Sequence, residues 1–260
     1  MSSKDAANLI IEKKDRTAVI TLNRPNAINS LNLAMLLDLE RTLIDIEEDD
    51  GIDVVVLTAA GTKGFCAGMD LKEFEQGKID LSLTKRVMDK IEDLGKPTIG
   101  AITDGYCVTG GLELALCCDF LIASDQAKFG DTHARVNVSG GGATVRMPRL
   151  VGLMKAKYMI FTSQFYSAEE AKELGLVIEV FPSEKLVDEA LRISGDIQKQ
   201  NQTILRKMKQ IMNRGWRTDL YAAWCLEESE CRRSMTEILS GGFKMADAVA
   251  QPKKDVGPKG

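Results

Sequence analysis

Two side chains and a pair of glycine-rich loops are the parts of this sequence whose residue types could do chemistry. Glu113 lies in the segment GGLELALCCD, in the first turn of a predicted helix whose other residues are almost all apolar. Burial disfavours the charged carboxylate, whereas a helix N-terminus favours it. A carboxylate under such opposed influences suits general acid–base catalysis, although a charge that interacts only with the helix dipole would look the same in the sequence.

His133, in the segment AKFGDTHARV, is the single histidine of the chain. An imidazole can transfer protons near neutral pH, but a lone histidine is more often a surface or structural residue. Asp131 precedes it by two positions and could orient the ring only if the backbone turns between them. A chain with one histidine cannot build a histidine-rich metal centre, so we predict no metal site.

The glycine-rich loops are GFCAGMD (64–70) and GYCVTGG (105–111), and each follows an apolar strand and leads into a helix. Ligands of parallel sheets bind at the carboxyl ends of strands, and the first N–H groups of a helix can bind a developing negative charge. Either loop alone could be no more than a tight turn, but two in this arrangement favour a binding site. Cys66 has only Lys63 nearby to lower its pKa, so we do not expect a nucleophilic thiol.

Strands and helices alternate along the segments that would position these residues. A predicted hairpin comes first, then an amphipathic helix, then strands that are apolar throughout, as in sheets buried on both faces. The predicted strands are 9–12, 17–22, 53–60, 96–102, 120–124, 127–130 and 176–180, and the first helix is 31–48. This order predicts an α/β fold with a parallel sheet and crossover helices, followed by a mostly helical C-terminal part.

The length of 260 residues allows one or two domains, and we predict an α/β core over residues 1–195 and a helical region over residues 196–260. A net charge of −4 gives no overall field that would attract nucleic acid. The N-terminus has no apolar leader, and no apolar stretch is long enough to cross a bilayer. The six cysteines form no C-x-x-C pair, as expected in a reducing compartment. We therefore expect a cytoplasmic protein that binds neither nucleic acid nor membrane.

Four segments together resemble the enoyl-CoA hydratase/isomerase (crotonase) superfamily: LNRPNAINSLN, GFCAGMDLKEF, KPTIGAITDGYCVTGGLELALCCDFLIAS and AKFGDTHARV. The resemblance extends from about residue 8 to about residue 240. It implies a spiral of ββα units with a C-terminal helical region used in trimerisation, commonly assembled as a homotrimer or a dimer of trimers. It also implies an acyl-CoA thioester as the substrate, with no cofactor besides the coenzyme A of that substrate.

The resemblance assigns roles to particular residues. Glu113 matches the first catalytic glutamate of the family, and the backbone N–H groups of Met69 and Gly110 match the two donors of its oxyanion hole. Removing a thioester α-proton requires such donors, because the resulting oxygen charge must be held. The segment matched to coenzyme A binding comprises Ala67, Asp70, Leu71 and Lys72.

The sequence departs from the family pattern at the second catalytic position. Hydratases of the family carry a second glutamate in a segment like F-G-x-P-E, and the residue aligned with it here is His133 in F-G-D-T-H. The following loop, VNVSGGGATVR, lacks the usual proline and is one residue shorter. The tail GGFKMADAVAQPKK replaces the usual ending, and Asn26 stands where a lysine is frequent.

Three hypotheses follow. The first is an acyl-CoA lyase of enoyl-CoA hydratase type, with Glu113 as the principal acid/base and His133 as its partner. The second is another reaction through a thioester enolate: isomerisation, decarboxylation or ring hydrolysis. The third is a non-catalytic acyl-CoA-binding protein that has lost its second acid/base.

Overall fold

The computed structural model describes residues 7–240, and within that range strands and helices alternate as the sequence predicts. The strands are β1 (Leu9–Lys14), β2 (Thr17–Leu22), β3 (Val54–Ala59), β4 (Thr98–Ile102), β5 (Gly105–Val108), β6 (Phe120–Ser124), β7 (Ala127–Gly130), β8 (Tyr166–Ser167) and β9 (Glu179–Phe181). The helices are α1 (Leu33–Glu48), α2 (Leu71–Glu75), α3 (Leu81–Asp93), α4 (Gly110–Ala115), α5 (Ala143–Val151), α6 (Leu153–Thr162), α7 (Ala168–Glu173), α8 (Leu186–Gln198), α9 (Gln202–Trp216) and α10 (Leu220–Leu239).

The described strands form two sheets, and the chain crosses from the larger to the smaller sheet after β4 and again after β6. The larger sheet has the order β1-β2-β3-β4-β6-β9, and the smaller has the order β5-β7-β8. Only the β1–β2 hairpin is antiparallel in the larger sheet. The chain passes from β4 to β5 and then into α4, and from β6 to β7 and then towards α5. These are ββα units, so the predicted α/β spiral is confirmed.

The central strands are buried on both faces because their side chains alternate between two hydrophobic clusters. Val55 and Leu57 of β3 pack into a large cluster that includes buried residues of α1, α3 and α4. Val54 and Val56 of the same strand pack into a smaller cluster with Leu186. A strand without polar alternation is stable only in such a covered sheet, which explains the apolar run over residues 54–57.

Two predicted boundaries differ from the structure. The loop over residues 105–111 contains β5, because it pairs in parallel with β7 in the smaller sheet, a tertiary contact that no local pattern reveals. The last strand of the larger sheet is β9 (Glu179–Phe181), later than the predicted 176–180. Leu176 and Val177 are buried beside the large cluster, so their apolar character reflects packing after α7 rather than strand pairing.

The chain divides into two compact units, with the division after Arg206. The sequence-based boundary at residue 195 falls inside α8, whose Leu186 and Ala190 are buried in the smaller hydrophobic cluster. Because α8 belongs to the core, the division lies further along the chain. Within residues 7–240, no helix combines the length and apolar character that crossing a membrane requires.

The second unit, from Lys207 onward, contains the end of α9 and all of α10. Lys207 Nζ and Glu237 Oε2 form an ion pair at 2.8 Å within it. Large apolar side chains of α10 are exposed, among them Leu220, Tyr221 and Trp224. The tail segment GGFKMADAVAQPKK, which the sequence analysis set apart from the family pattern, lies outside the described residues.

Candidate active site

The two glycine-rich loops lie against each other. Cys66 N donates to Tyr106 O at 3.1 Å, and Val108 N donates to Cys66 O at 3.1 Å, so the first loop pairs with β5 like an extra strand. A Cβ atom on Gly111 would lie 2.2 Å from Cys66 O, and this close approach is why glycine is required there. The pairing brings residues 64–70 to the N-terminal end of α4.

The backbone amides of Met69 and Gly110 are neighbours as a result. A Cβ atom placed on Gly110 would lie 3.4 Å from Met69 N. Leu31 pairs in parallel with the first glycine-rich loop through two hydrogen bonds, from Leu31 N to Gly68 O and from Asp70 N to Leu31 O. The N–H of Met69, between these two positions, points away from Leu31. Neither the Met69 amide nor the Gly110 amide donates to another residue of the described range 7–240. The structure therefore brings together the two donors that the sequence predicted, and it leaves both available.

Glu113 is buried, with 3% of its surface exposed, and a neighbouring helix holds one of its carboxylate oxygens. Glu113 Oε1 accepts hydrogen bonds from Gly141 N at 2.5 Å and from Ala143 N at 2.9 Å, where α5 begins. The first amides of a helix have no partner within it, so a carboxylate is well placed there. These donors were not predicted from the sequence, although the glycine run before α5 was an available signal.

The second oxygen of Glu113 faces His133. The distance from Glu113 Oε2 to His133 Nε2 is 3.6 Å, although the two residues lie on different elements, α4 and the 3₁₀ turn His133–Val136. His133 is 8% exposed, so it is buried and is not a surface histidine. The structure thus brings together both predicted catalytic side chains.

Asp131 lies on the far side of the imidazole. His133 Nδ1 is 2.8 Å from Asp131 Oδ1, and the His133 backbone N–H donates to the same oxygen at 3.0 Å. The backbone therefore turns between Asp131 and His133, as this contact requires. Asp131 is 1% exposed, and its Oδ2 has no hydrogen-bond partner among the described residues.

The charges of this group shift its pKa values in a consistent direction. Burial disfavours the imidazolium of His133, but the hydrogen bond to Asp131 and the negative charges of Glu113 and Asp131 outweigh burial and raise the pKa of His133. Burial likewise disfavours the Asp131 carboxylate, yet the hydrogen bonds and the charge of His133 lower the pKa of Asp131. Both directions favour an Asp131 carboxylate beside a protonated imidazole.

A cavity of about 380 Å³ opens beside these residues. Its wall combines the polar pair Asp131 and His133 with mostly apolar side chains of the following turn, loop and helix. The lining residues are Asp131, His133, Ala134, Val138, Ser139, Thr144, Ile160 and Phe161. The short loop that lacks the family's proline thus contributes both to this wall and, through Gly141, to the position of Glu113.

The residues predicted to bind coenzyme A follow Cys66 in the first loop and continue into α2. Ala67 N donates to a backbone carbonyl at 2.9 Å. Asp70 caps α2 and pairs with Arg24, its Oδ2 lying 3.1 Å from Arg24 Nη2. Leu71 and Lys72 are exposed on α2. The Asp70 carboxylate is therefore engaged by the protein itself, and ligand binding by this segment stays a prediction.

The buried thiols are not reactive groups of this site. Burial raises the pKa of Cys66 to about 12, against a weaker opposite effect of its hydrogen bond from Gly68 N. Burial also raises the pKa of Cys107 well above its ordinary value. A thiol with so high a pKa is not a nucleophile near neutral pH, in agreement with the expectation for Cys66.

A buried carboxylate on α4 faces an imidazole that lines a cavity, and the first residue of α4 has an unengaged amide beside that of Met69. This arrangement suits general acid–base chemistry on a compound whose oxygen gains negative charge. The sequence profile of the enoyl-CoA hydratase/isomerase family matches residues 12–237. The chain belongs to that family.

Named relatives and solved structures agree with this assignment. The chain is 36% identical to a crotonyl-CoA hydratase of Syntrophomonas wolfei subsp. wolfei over 226 residues, which are 85% of this chain and 86% of the relative. It is 37% identical to a short-chain-enoyl-CoA hydratase of Clostridium acetobutylicum, with the same coverage. The crystal structure of enoyl-CoA hydratase from Bacillus anthracis superposes with a TM-score of 0.82 at 38% identity, covering 85% of this chain and 88% of that one.

Proposed function

We propose that this protein is an enoyl-CoA hydratase, which adds water across the double bond of a 2-enoyl-CoA or removes it in the reverse direction. The observation that carries the proposal is the 3.6 Å separation between Glu113 Oε2 and Nε2 of His133, a residue that lines a cavity. At that separation both groups can act on one water molecule and on the carbon atoms beside it. The relatives named as crotonyl-CoA and short-chain-enoyl-CoA hydratases support the same reaction.

In the hydration direction, Glu113 acts as the base and His133 as the acid. Glu113 takes one proton from water while the hydroxide adds to Cβ, and the imidazolium of His133 delivers a proton to Cα. The raised pKa of His133 supports this assignment, because it keeps more of the ring protonated near neutral pH. Glu113 then returns its proton to His133, which restores the starting state.

The N–H groups of Met69 and Gly110 form the oxyanion hole of this proposal. When the nucleophile adds to Cβ, electron density moves to the thioester oxygen, and two convergent amides stabilise that charge. Their support is the closeness of the two nitrogens and the lack of another acceptor for either within residues 7–240. Removing one donor of an oxyanion hole typically costs about 3–4 kcal/mol of transition-state stabilisation.

The acyl-CoA thioester is the only small molecule that the proposal needs. Coenzyme A enters as part of the substrate, and Ala67, Asp70, Leu71 and Lys72 are the residues proposed to line its path. No further cofactor and no metal takes part in the steps above. A cytoplasmic location stays the prediction made from the sequence.

We further propose a homotrimer, or a dimer of such trimers. In the second unit, Leu220, Tyr221 and Trp224 expose 73%, 80% and 67% of their surface. Large exposed apolar patches usually mark surfaces that another chain covers. Multi-angle light scattering of the full chain tests the proposal, and a monomer at micromolar concentration would rule it out.

A panel of CoA esters tests the reaction. The protein is incubated with crotonyl-CoA, a 3-enoyl-CoA and a malonyl-type CoA, and the products are identified by mass spectrometry. Hydration adds the mass of one water to crotonyl-CoA, isomerisation leaves the mass of the 3-enoyl ester unchanged, and decarboxylation removes carbon dioxide from the malonyl ester. Turnover of only the second or third ester would show that the protein catalyses another enolate reaction instead of hydration. This alternative is considered because His133 stands where hydratases of the family carry a glutamate.

A protein that binds the esters and converts none would be the non-catalytic alternative. Isothermal titration calorimetry with crotonyl-CoA and with free coenzyme A distinguishes this outcome from a failure to bind.

A further inference from the structure

We infer that Asp131 is a positioning residue that makes His133 the equivalent of a protonated carboxylic acid. It does so by holding the ring with Nδ1 protonated, so that Nε2 is the atom that exchanges protons, and by supplying the negative charge that neutralises the imidazolium. This inference rests on the proposed function, since it explains how a histidine serves where hydratases of the family carry a glutamate.

The hydrogen bonds determine which ring nitrogen carries the proton. An ionised carboxylate can only accept hydrogen bonds, so the contact of 2.8 Å between Asp131 Oδ1 and His133 Nδ1 requires a proton on Nδ1. The backbone N–H of His133 donates to the same oxygen at 3.0 Å, which fixes the carboxylate relative to the turn. When the ring is neutral, its lone pair is therefore on Nε2, and Nε2 is the nitrogen that faces Glu113.

Among the described residues, the Asp131 carboxylate forms hydrogen bonds with His133 alone. Its only hydrogen bonds among the described residues run from the ring and the amide of His133, and its Oδ2 is buried without a partner there. A buried carboxylate that served only the fold would be expected to satisfy both oxygens. Here the compensation comes from one imidazole, which ties the two charges together.

Other charged side chains near the ring are directed elsewhere. Arg135, in the same turn, donates to a backbone carbonyl, and Arg146 of α5 is paired with a glutamate of α3. On α6, the side chains of Lys155 and Lys157 are exposed. The groups that set the protonation of His133 are therefore Asp131 on one side and Glu113 on the other.

A count of charges shows why the carboxylate is needed. A pair of glutamates that shares one proton carries a net charge of −1, with one acid neutral and one ionised. Replacing the neutral acid by an imidazolium alone would leave the pair with no net charge. Asp131, Glu113 and protonated His133 together again carry −1, and the mobile proton lies on Nε2. Hydration then moves that proton to Cα and the water proton to Glu113 Oε2, and transfer from Oε2 to Nε2 closes the cycle.

The single histidine makes a direct test available. With histidine labelled by ¹⁵N and any affinity tag removed, the protein gives one pair of ring nitrogen signals, since His133 is the only histidine in 260 residues. We expect that at high pH the neutral ring is protonated at Nδ1 and bare at Nε2. A neutral ring protonated at Nε2 would overturn the inference, and this result needs neither a variant nor any activity.

The variant Asp131→Asn adds a functional readout. It removes the charge at nearly constant shape, so the NMR titration of His133 should move to lower pH. We expect kcat for crotonyl-CoA hydration to fall by about 10²-fold with KM changed by less than about threefold, and the basic limb of the pH–rate profile to move with the titration. If the asparagine amide rotates so that its NH₂ group faces His133 Nδ1, Asp131→Ala gives the same test without that donor.

The matched control is Asp53→Asn, which neutralises another buried aspartate, one that pairs with Arg16 at the start of β3. A merely structural role for Asp131 predicts that both variants lose stability while the titration of His133 and kcat are unchanged. If the wild-type protein hydrates no ester yet shows the Nδ1-protonated ring and the shifted titration, the proposed function fails while the arrangement around His133 stands. An active protein whose histidine titration ignores Asp131→Asn would reject the positioning role alone.

Discussion

Glu113 Oε2 and His133 Nε2 lie 3.6 Å apart, and the other polar atom of each side chain contacts a different part of the chain. Two amides at the start of α5 bind the other oxygen of Glu113, and Asp131 binds the other nitrogen of His133. Each side chain thus has one atom engaged by the protein and one atom that faces the other residue, so Glu113 Oε2 and His133 Nε2 are held in defined positions.

The first prediction concerns Glu113. The variant Glu113→Gln keeps an oxygen that can accept from the amides of Gly141 and Ala143, so the side chain should stay in place and lose only its ability to take a proton. We expect kcat for hydration to fall by about 10²- to 10⁴-fold while the affinity for the CoA ester changes little. Steady-state kinetics measures kcat, and calorimetric titration measures the affinity for the CoA ester. Glu40→Gln, which removes a surface ion pair with Arg86, is the control. An unchanged kcat in Glu113→Gln would sink the assignment.

The second prediction concerns a restored pair of carboxylates. His133→Glu places a carboxyl group beside both Glu113 and Asp131, and the Asp131 charge then brings the group to −2 and opposes the ionisation of the base Glu113. We expect the double variant His133→Glu/Asp131→Asn to hydrate crotonyl-CoA about tenfold faster than His133→Glu alone, which corresponds to about one pKa unit. If Asp131→Asn slows the His133→Glu enzyme as much as it slows the wild type, Asp131 acts independently of the charge at position 133.

The third prediction concerns pH. Burial works against the charged ring, but Asp131 and Glu113 outweigh it, and the pKa of His133 in the folded protein lies above the value of 6.5 expected for the unfolded chain. The protonated ring therefore stabilises the fold. This contribution is fully present below pH 6.5 and is lost as the pH rises through the folded pKa.

Urea unfolding of the wild type and of His133→Gln between about pH 5.5 and about pH 9 measures this contribution. The difference in unfolding free energy should shrink towards high pH. The hydration rate should fall over the same interval, because the acid loses its proton. A difference that grows with pH would contradict the direction of the shift.

The fourth prediction isolates an amide of the proposed oxyanion hole. Gly110 is the first residue of α4, a position where proline is tolerated and its missing N–H breaks no helical hydrogen bond. Gly110→Pro removes the donor, whereas Gly110→Ala adds a Cβ atom in the same place and keeps it. We expect Gly110→Pro to have a kcat about 10²- to 10³-fold below that of Gly110→Ala. Circular dichroism melts verify that both variants fold, and equal turnover by the two would remove Gly110 from the oxyanion hole.

The fifth prediction concerns the residue before that amide. Thr109 has φ 54° and ψ −124°, a conformation that β-branched residues rarely adopt, and its hydroxyl lies 2.9 Å from Thr132 Oγ1. Thr109→Ala and Thr109→Gly both lose the hydroxyl contact, but only glycine relieves the backbone. We expect Thr109→Gly to be more stable than Thr109→Ala by about 1 kcal/mol. Equal stability in thermal or urea unfolding would show that the backbone stores no strain at this position.

Much of the fold could be predicted because its signals are local. Continuous apolar runs identified β3 and β4 as strands buried on both faces, and helical spacing identified α1. The capping box at Ser167 and Glu170 is present as predicted. The strand β5 was missed because four residues of GYCV have no decisive pattern, and only pairing with β7 defines them as a strand.

The sequence by itself determined which groups the site contains. It gave Glu113 and His133 as the acid/base candidates, and it gave two glycine-rich loops whose amides could hold a charge. The resemblance also predicted that an imidazole stands at the second catalytic position of the family, because His133 ends the segment F-G-D-T-H.

Only the tertiary structure decided how those groups work. The amides that hold Glu113 come from a loop that is distant in sequence, and the nitrogen of His133 that faces the carboxylate follows from a backbone turn at Asp131. Hydrogen bonds depend on distances of a few ångströms and on direction, and neither is encoded by residue type or spacing. The sequence therefore supplied the histidine, and the fold determined which of its nitrogens faces Glu113 and which contacts Asp131.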